Sequence, residues 1–134
     1  MAPDQTKQAE VVAATDVAEE SMRPQTVPVN VYETDAAVVV VAPLPAVQPS
    51  DVTIDVTPGH MRITAALRTA APRDYIIHEW HYGGFEREVD IPEGFGATVE
   101  ASLANGQLAV RALKGDPAGK VSAVPMDPTS HIPA

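Results

Sequence analysis

The residues best suited to metal chemistry stand together near the middle of the chain, at His78, Glu79, Trp80 and His81. A zinc-binding helix of the H-E-x-x-H type places its two histidines four residues apart, on one face. Here the histidines are three residues apart, and positions three apart on a strand face opposite sides of the sheet. We therefore interpret these histidines as surface or interface residues, and we predict no metal site and no cofactor.

The acidic side chains are spaced for contact with water rather than for catalysis. Glu86, Glu88 and Asp90 recur at every second position, and Asp51 and Asp55 share one strand face, as is typical of solvated strand faces. No serine stands in a G-x-S-x-G motif, and no glycine-rich phosphate loop occurs. The sequence therefore predicts no catalytic residues and no ATP site, so an enzyme is the least favoured class.

The composition is that of one acidic domain. The 134 residues fit a single domain, and 18 acidic against 9 basic side chains give a formal net charge of −9. Nucleic acids and anionic membranes bind basic surfaces, so we expect neither as a partner. The absence of cysteine excludes disulfides and thiolate metal sites. We expect a cytoplasmic protein, because the sequence has neither the apolar segment of a signal peptide nor a long apolar run.

Strand patterns occupy residues 27–113. Apolar and polar residues alternate over 51–57 and 60–65, whereas 36–42 is a continuous apolar run that suits a strand covered on both faces. Proline and glycine mark turns roughly every 8–12 residues, the spacing of a sandwich of short strands. We predict an all-β domain, an immunoglobulin-like β-sandwich of about seven or eight antiparallel strands.

The two ends of the chain lack this pattern. Residues 1–26 are polar, acidic and rich in alanine, and we expect a flexible N-terminal arm. Residues 114–134 contain several prolines and no sustained period, so we expect a flexible C-terminal extension.

The clearest single element is a β-hairpin centred on Asn105 and Gly106. Residues on both sides of this pair alternate between apolar and polar. Asn-Gly between alternating runs favours a tight turn, because both residues of that turn adopt positive φ. Within this hairpin, Ala101, Asn105, Gly106 and Leu108 form the pattern A-x-x-x-N-G-x-L.

That pattern resembles the hallmark of the small heat-shock proteins, the alpha-crystallin family. Residues 27–34 resemble the first core strand of the family, and 79–94 resemble its bacterial form. The strand that ends L-P-A-V resembles the family's L-P-G-V, with Ala46 in the place of the usual glycine. The resemblance spans roughly residues 27–113, and it identifies an alpha-crystallin domain.

The resemblance implies a function and an assembly. The family acts as ATP-independent holdases of the stress response, which bind unfolded client proteins and prevent their aggregation. Bacterial members typically form a homodimer by exchanging a short strand, with weak larger species as a further possibility here. Residues 75–80 take the place of that strand. The interface residues implied are Tyr75, Ile76, Ile77, His78, Trp80, Tyr82 and Arg87.

The resemblance also implies a groove for a C-terminal tail or a client. Its candidate residues are Val52, Ile54, Val56, Val99, Ala101 and Leu103, although the first three fit a sandwich core equally well. Family tails dock through an isoleucine-x-isoleucine motif. Two imperfect copies occur here, one at Val121 and Ala123, the other at Ile132 and Ala134. Because alanine replaces the second branched residue in both, we expect assembly to stop at or near the dimer.

A second interpretation is a β-sandwich interaction adaptor, similar to the co-chaperone CS domain, without general chaperone activity. The predicted arm contains no aromatic residue, whereas family arms commonly carry phenylalanine or tryptophan. This difference weakens client capture through the arm. The segment 75–80 and the Asn-Gly hairpin favour the chaperone.

Overall fold

The computed structural model describes residues 24–66, 74–79 and 84–126, which form two β-sheets. One short 3₁₀ turn, Pro49–Asp51, precedes the fourth strand, and the described residues contain no α-helix. The strands are β1 (Gln25–Thr26), β2 (Asn30–Glu33), β3 (Ala37–Pro43), β4 (Val52–Thr57), β5 (His60–Ala65), β6 (Phe85–Asp90), β7 (Phe95–Ala104), β8 (Gln107–Lys114) and β9 (Val121–Ala123).

The strands divide into a five-stranded sheet, in the order β1-β6-β5-β4-β9, and a four-stranded sheet, in the order β2-β3-β8-β7. The chain crosses between the sheets after β1, β3, β6 and β8. All strand pairs are antiparallel except β1 with β6, which is parallel. The predicted all-β sandwich is confirmed, and the short strands β1 and β9 extend one of its sheets at both edges.

The core lies between the two sheets. Along β4 and β5 every second residue is buried, as the alternating sequence predicts. Strand β3 is buried on both faces over most of its length. On its outer face Val39 lies between Tyr32 of β2 and Arg111 of β8, whose large side chains flank it in register. The continuous apolar run is therefore explained by the central position of β3.

The predicted hairpin joins β7 to β8. Asn105 and Gly106 have φ of 54° and 74°, the left-handed pair that a type I′ turn requires. Ala104 pairs with Gln107 beside the turn, and the Leu44 N–H donates a 2.7 Å hydrogen bond to the Gly106 carbonyl. This contact ties the hairpin to the connection that follows β3.

Ala46 occupies a backbone conformation that favours glycine. Its φ is 64°, in the connection between the two sheets, where the sequence suggested that alanine replaces a glycine. A non-glycine residue in this region carries about 1–3 kcal/mol of strain. The resemblance noted above implies a glycine at this position, and glycine adopts this φ without such strain.

We expect Ala46→Gly to stabilise the domain. Relief of the strain outweighs the added freedom of the unfolded chain, so the net gain should be about 0.5–1 kcal/mol. Urea unfolding with an unchanged slope measures it. Ala66→Gly is the matched control, because exposed Ala66 has no positive φ. The control should lose stability, and an equal change in both variants would contradict the explanation.

Candidate functional site

The apolar stripe of β4 points into the core. Val52, Ile54 and Val56 are each 0% exposed. On β7, Leu103 is also buried, whereas Val99 and Ala101 are half-buried at the margin of the core. The side chains of β4 therefore contribute mainly to folding, and what β4 offers to a binding partner is its backbone edge.

That edge of β4 is paired with the C-terminal part of the same chain. Val121 and Ala123 of β9 stand opposite Val56 and Ile54. Between them the Ser122 hydroxyl donates a 2.5 Å hydrogen bond to Oδ1 of Asp55. The first tail motif identified in the sequence thus docks as a short antiparallel strand, within its own subunit.

The same tail continues onto the other sheet. The Met126 N–H donates to the Ala101 carbonyl at 2.9 Å, and the Leu103 N–H donates to the Met126 carbonyl at 2.9 Å. Pro125, which immediately precedes Met126, is buried. Residues 121–126, which we call the tail segment, therefore span the edges of both sheets. The second tail motif, Ile132 and Ala134, lies outside the described residues.

A second candidate surface is the segment at residues 74–79. Ile76 is 101% exposed and Ile77 72% exposed in the isolated subunit. Tyr75 and His78 stack with ring centroids 4.4 Å apart and nearly parallel planes. The segment forms no strand within the subunit, so its exchange with a second subunit stays a prediction. Trp80 and Tyr82 lie outside the described residues.

Strand β2 forms an open edge of the four-stranded sheet. All four of its residues are exposed, with Val31 at 42% and Tyr32 at 55%. Within the described ranges no strand pairs with its outer side. Such an edge carries unpaired N–H and C=O groups that can accept another strand.

Arg87 is held by backbone carbonyls. Its Nη1 donates to Val27 at 3.4 Å and its Nε to Glu88 at 3.3 Å. The first contact joins β6 to the residue after β1, and Val27 itself is buried. Within the subunit Arg87 thus anchors the chain that enters the domain, and its place at a dimer interface stays a prediction.

The outer face of β5 and β6 is polar and charged. His60 lies 3.5 Å from Asp90 and 3.8 Å from Glu88, and Arg62 lies 3.8 Å from Glu86. All of these side chains are partly or fully in contact with water, and exposed pairs of this kind stabilise a fold only weakly. The carboxylates spaced by two thus line a solvated strand face.

Neither a metal site nor a membrane span was found in the described part of the chain. No group of three or more histidine, cysteine, aspartate or glutamate side chains there could hold a metal ion. No helix there has the length and apolar character needed to cross a membrane. His81, part of the histidine pair considered above, lies outside that part.

Two contributors to these surfaces were not singled out in the sequence. Tyr32 belongs to a recognisable strand, and the charged Glu33 beside it could have indicated an exposed edge. Met126 carries no local signal, because its pairing with β7 depends on the path of the whole tail segment.

Comparison with known proteins agrees with this architecture. The small heat-shock protein hspA from Xanthomonas axonopodis superposes with a TM-score of 0.57 at 22% identity, covering 69% of this chain and 96% of that one. A small heat-shock protein from Xylella fastidiosa gives 0.57 at 25% identity, covering 66% and 85%. HSP18.5 from E. histolytica gives 0.56 at 19% identity, covering 66% and 88%.

Of two sequence comparisons, one gives the family. A search of curated proteins found no match. The model of the Hsp20/alpha crystallin family, in contrast, matches residues 30–126, which include the strands from β2 to β9. Since this match covers most of the chain, the chain belongs to the Hsp20/alpha-crystallin family of small heat-shock proteins.

Proposed function

We propose that this protein is an ATP-independent holdase, which binds partly unfolded proteins and prevents their aggregation. The observation that carries the proposal is the family match over residues 30–126. Members of the family are non-enzymatic and are typically ATP-independent chaperones. The absence of a phosphate-binding loop from the sequence is consistent with action without ATP.

The mechanism we propose is capture of exposed apolar segments. Extended client segments can add to a sheet edge by backbone hydrogen bonds, with apolar side chains beside them. The open β2 edge, with Val31 and Tyr32 exposed, has the features needed for such binding. Capture lowers the concentration of free aggregation-prone species. A net charge of −9 would keep the resulting complexes dispersed.

We also propose that the functional unit is a dimer formed by strand exchange. Family members are typically oligomeric. Residues 75–80 would add to the β2 edge of a second subunit. In the described part of the chain, the β7 edge is bridged by Met126, and β1 and β9 are very short edge strands. The β2 edge is thus the best acceptor, and Ile76 and Ile77 supply apolar surface for the contact.

The chaperone proposal is tested by a light-scattering assay. Purified protein, near equimolar with a heat-labile client enzyme, should suppress scattering without ATP, because capture precedes aggregation. Addition of ATP should leave the suppression unchanged. An unrelated acidic protein at the same concentration controls for nonspecific effects. Failure to suppress several clients at several-fold excess would favour the adaptor interpretation.

A further inference from the structure

The connection that leads to the tail segment is short, and this limits which subunit the tail segment can bind. Strand β8 ends at Lys114 and β9 begins at Val121, so residues 115–120 form a short connection. The Gly115 N–H donates to the Gly94 carbonyl at 2.7 Å, and the Ala97 N–H donates to the Gly115 carbonyl at 3.0 Å. The connection is therefore anchored to β7 and the turn before it.

Pro117 adds a second anchor, since it is buried in the middle of this connection. A short tether gives the attached segment an effective concentration on the order of millimolar. This effective concentration exceeds the micromolar protein concentrations of ordinary experiments. The tail segment therefore binds β4 of its own subunit in preference to β4 of another.

The contacts also protect two edges that would otherwise accept strands. The tail segment pairs with the backbone of Ile54 and Val56 on β4, and Met126 pairs across Ala101 and Leu103 on β7. Loss of the tail segment would leave unpaired N–H and C=O groups along β4 and β7, and such edges promote pairing between molecules.

We propose that the tail segment is an intramolecular strap, which closes the β4 and β7 edges of its own subunit and so restrains self-association. The segment that covers these two edges is the tail segment, residues 121–126, of the same chain. The inference goes beyond the proposed holdase function and does not depend on it. A tail that joined neighbouring subunits would have the opposite effect, since it would build assemblies instead of limiting them.

The chain offers a clean test because it contains no cysteine. Asp55 and Ser122 are paired across the two strands and their side chains touch. In the double variant Asp55→Cys with Ser122→Cys, mild oxidation should form a disulfide within one chain. The product should run as a single chain on a non-reducing gel, and peptide mass spectrometry of a mixture of labelled and unlabelled protein should show no hybrid disulfide.

The controls are the two single-cysteine variants and the off-register pair Thr53→Cys with Ser122→Cys. The single-cysteine variants cannot form an intrachain disulfide and show how much oxidation occurs between chains. The off-register pair should form much less intrachain disulfide than the in-register pair. Hybrid disulfides between labelled and unlabelled chains would overturn the proposal, because the tail would then dock on a neighbour. The same disulfide yield in the in-register and off-register pairs would also overturn it.

A second variant tests the restraint itself in the full-length chain. Ala123→Pro should break the pairing of β9, because Ala123 stands opposite Ile54, whose backbone groups face β9, and proline lacks the N–H that this pairing needs. We expect its mass, measured by light scattering, to rise by about twofold or more as uncovered edges pair. Ala123→Ser keeps the backbone N–H and should leave the mass unchanged. A fall in mass, or no change, in Ala123→Pro would overturn the proposal.

Discussion

A chain that carries both Ile76→Asp and Ile77→Asp should be monomeric at concentrations where the parent chain is a dimer. These are the most exposed large apolar side chains in the described ranges. The exchanged strand that we propose would bury them against a second subunit. Carboxylates cannot be buried there without a partner, so the substitution removes the apolar contact and adds a desolvation cost.

The expected size of this effect is large. Adjacent residues on a strand face opposite sides, so we count one fully buried isoleucine in each subunit. At about 1.5–3 kcal/mol each, two subunits contribute roughly 3–6 kcal/mol. At about 1.4 kcal/mol for each tenfold change, the dissociation constant should rise by at least about two powers of ten. Sedimentation velocity over a range of concentrations measures the change.

The control must add the same charge elsewhere. Thr98→Asp with Ala118→Asp adds two carboxylates at exposed positions outside the proposed interface. This control should keep the parent mass. If the Ile76 and Ile77 double variant also keeps the parent mass, the strand-exchange proposal is wrong.

The second large effect is expected for Gly96→Ala, which should strongly destabilise the domain. Gly96 has φ of 114°, and a Cβ atom there would stand 2.6 Å from Cγ1 of Val56 and 3.5 Å from Cγ of Pro117. The backbone strain costs about 1–3 kcal/mol, and overpacking typically costs another 1–3 kcal/mol. The sum, roughly 2–6 kcal/mol, is a large part of the usual 5–15 kcal/mol of a folded domain.

Chemical denaturation of two further variants separates the two costs. Gly119 has φ of 79° and open space around its Cα, so Gly119→Ala should show backbone strain alone. Adding Val56→Ala to Gly96→Ala removes the contacting methyl group, and the two substitutions should then cost less together than the sum of their separate effects. Equal losses in Gly96→Ala and Gly119→Ala would show that the close contact with Val56 is unimportant.

Local patterns in the sequence were sufficient for much of the fold. Alternation over β4 and β5 predicted which residues share a face, because side chains on a strand alternate with a period of two. Asn105 and Gly106 predicted the turn, since few residues accept its backbone angles. Ala46 stands where the resemblance implies a glycine, and the structure shows that its φ is positive. These properties depend on neighbouring residues only, so the sequence carries them directly.

The surfaces depend on contacts between distant residues, and the tertiary structure decided them. Period-two alternation does not say whether Ile54 faces a core or a groove; the opposing sheet makes it core. Neither does it say that Ser122 pairs with Asp55 of the same chain, since a three-residue strand has too little pattern to select a partner. The sequence thus determined the strands of the central region, the turns and the family resemblance. Tertiary packing determined the short strands β1 and β9, and which strand edges are open and which the chain itself covers.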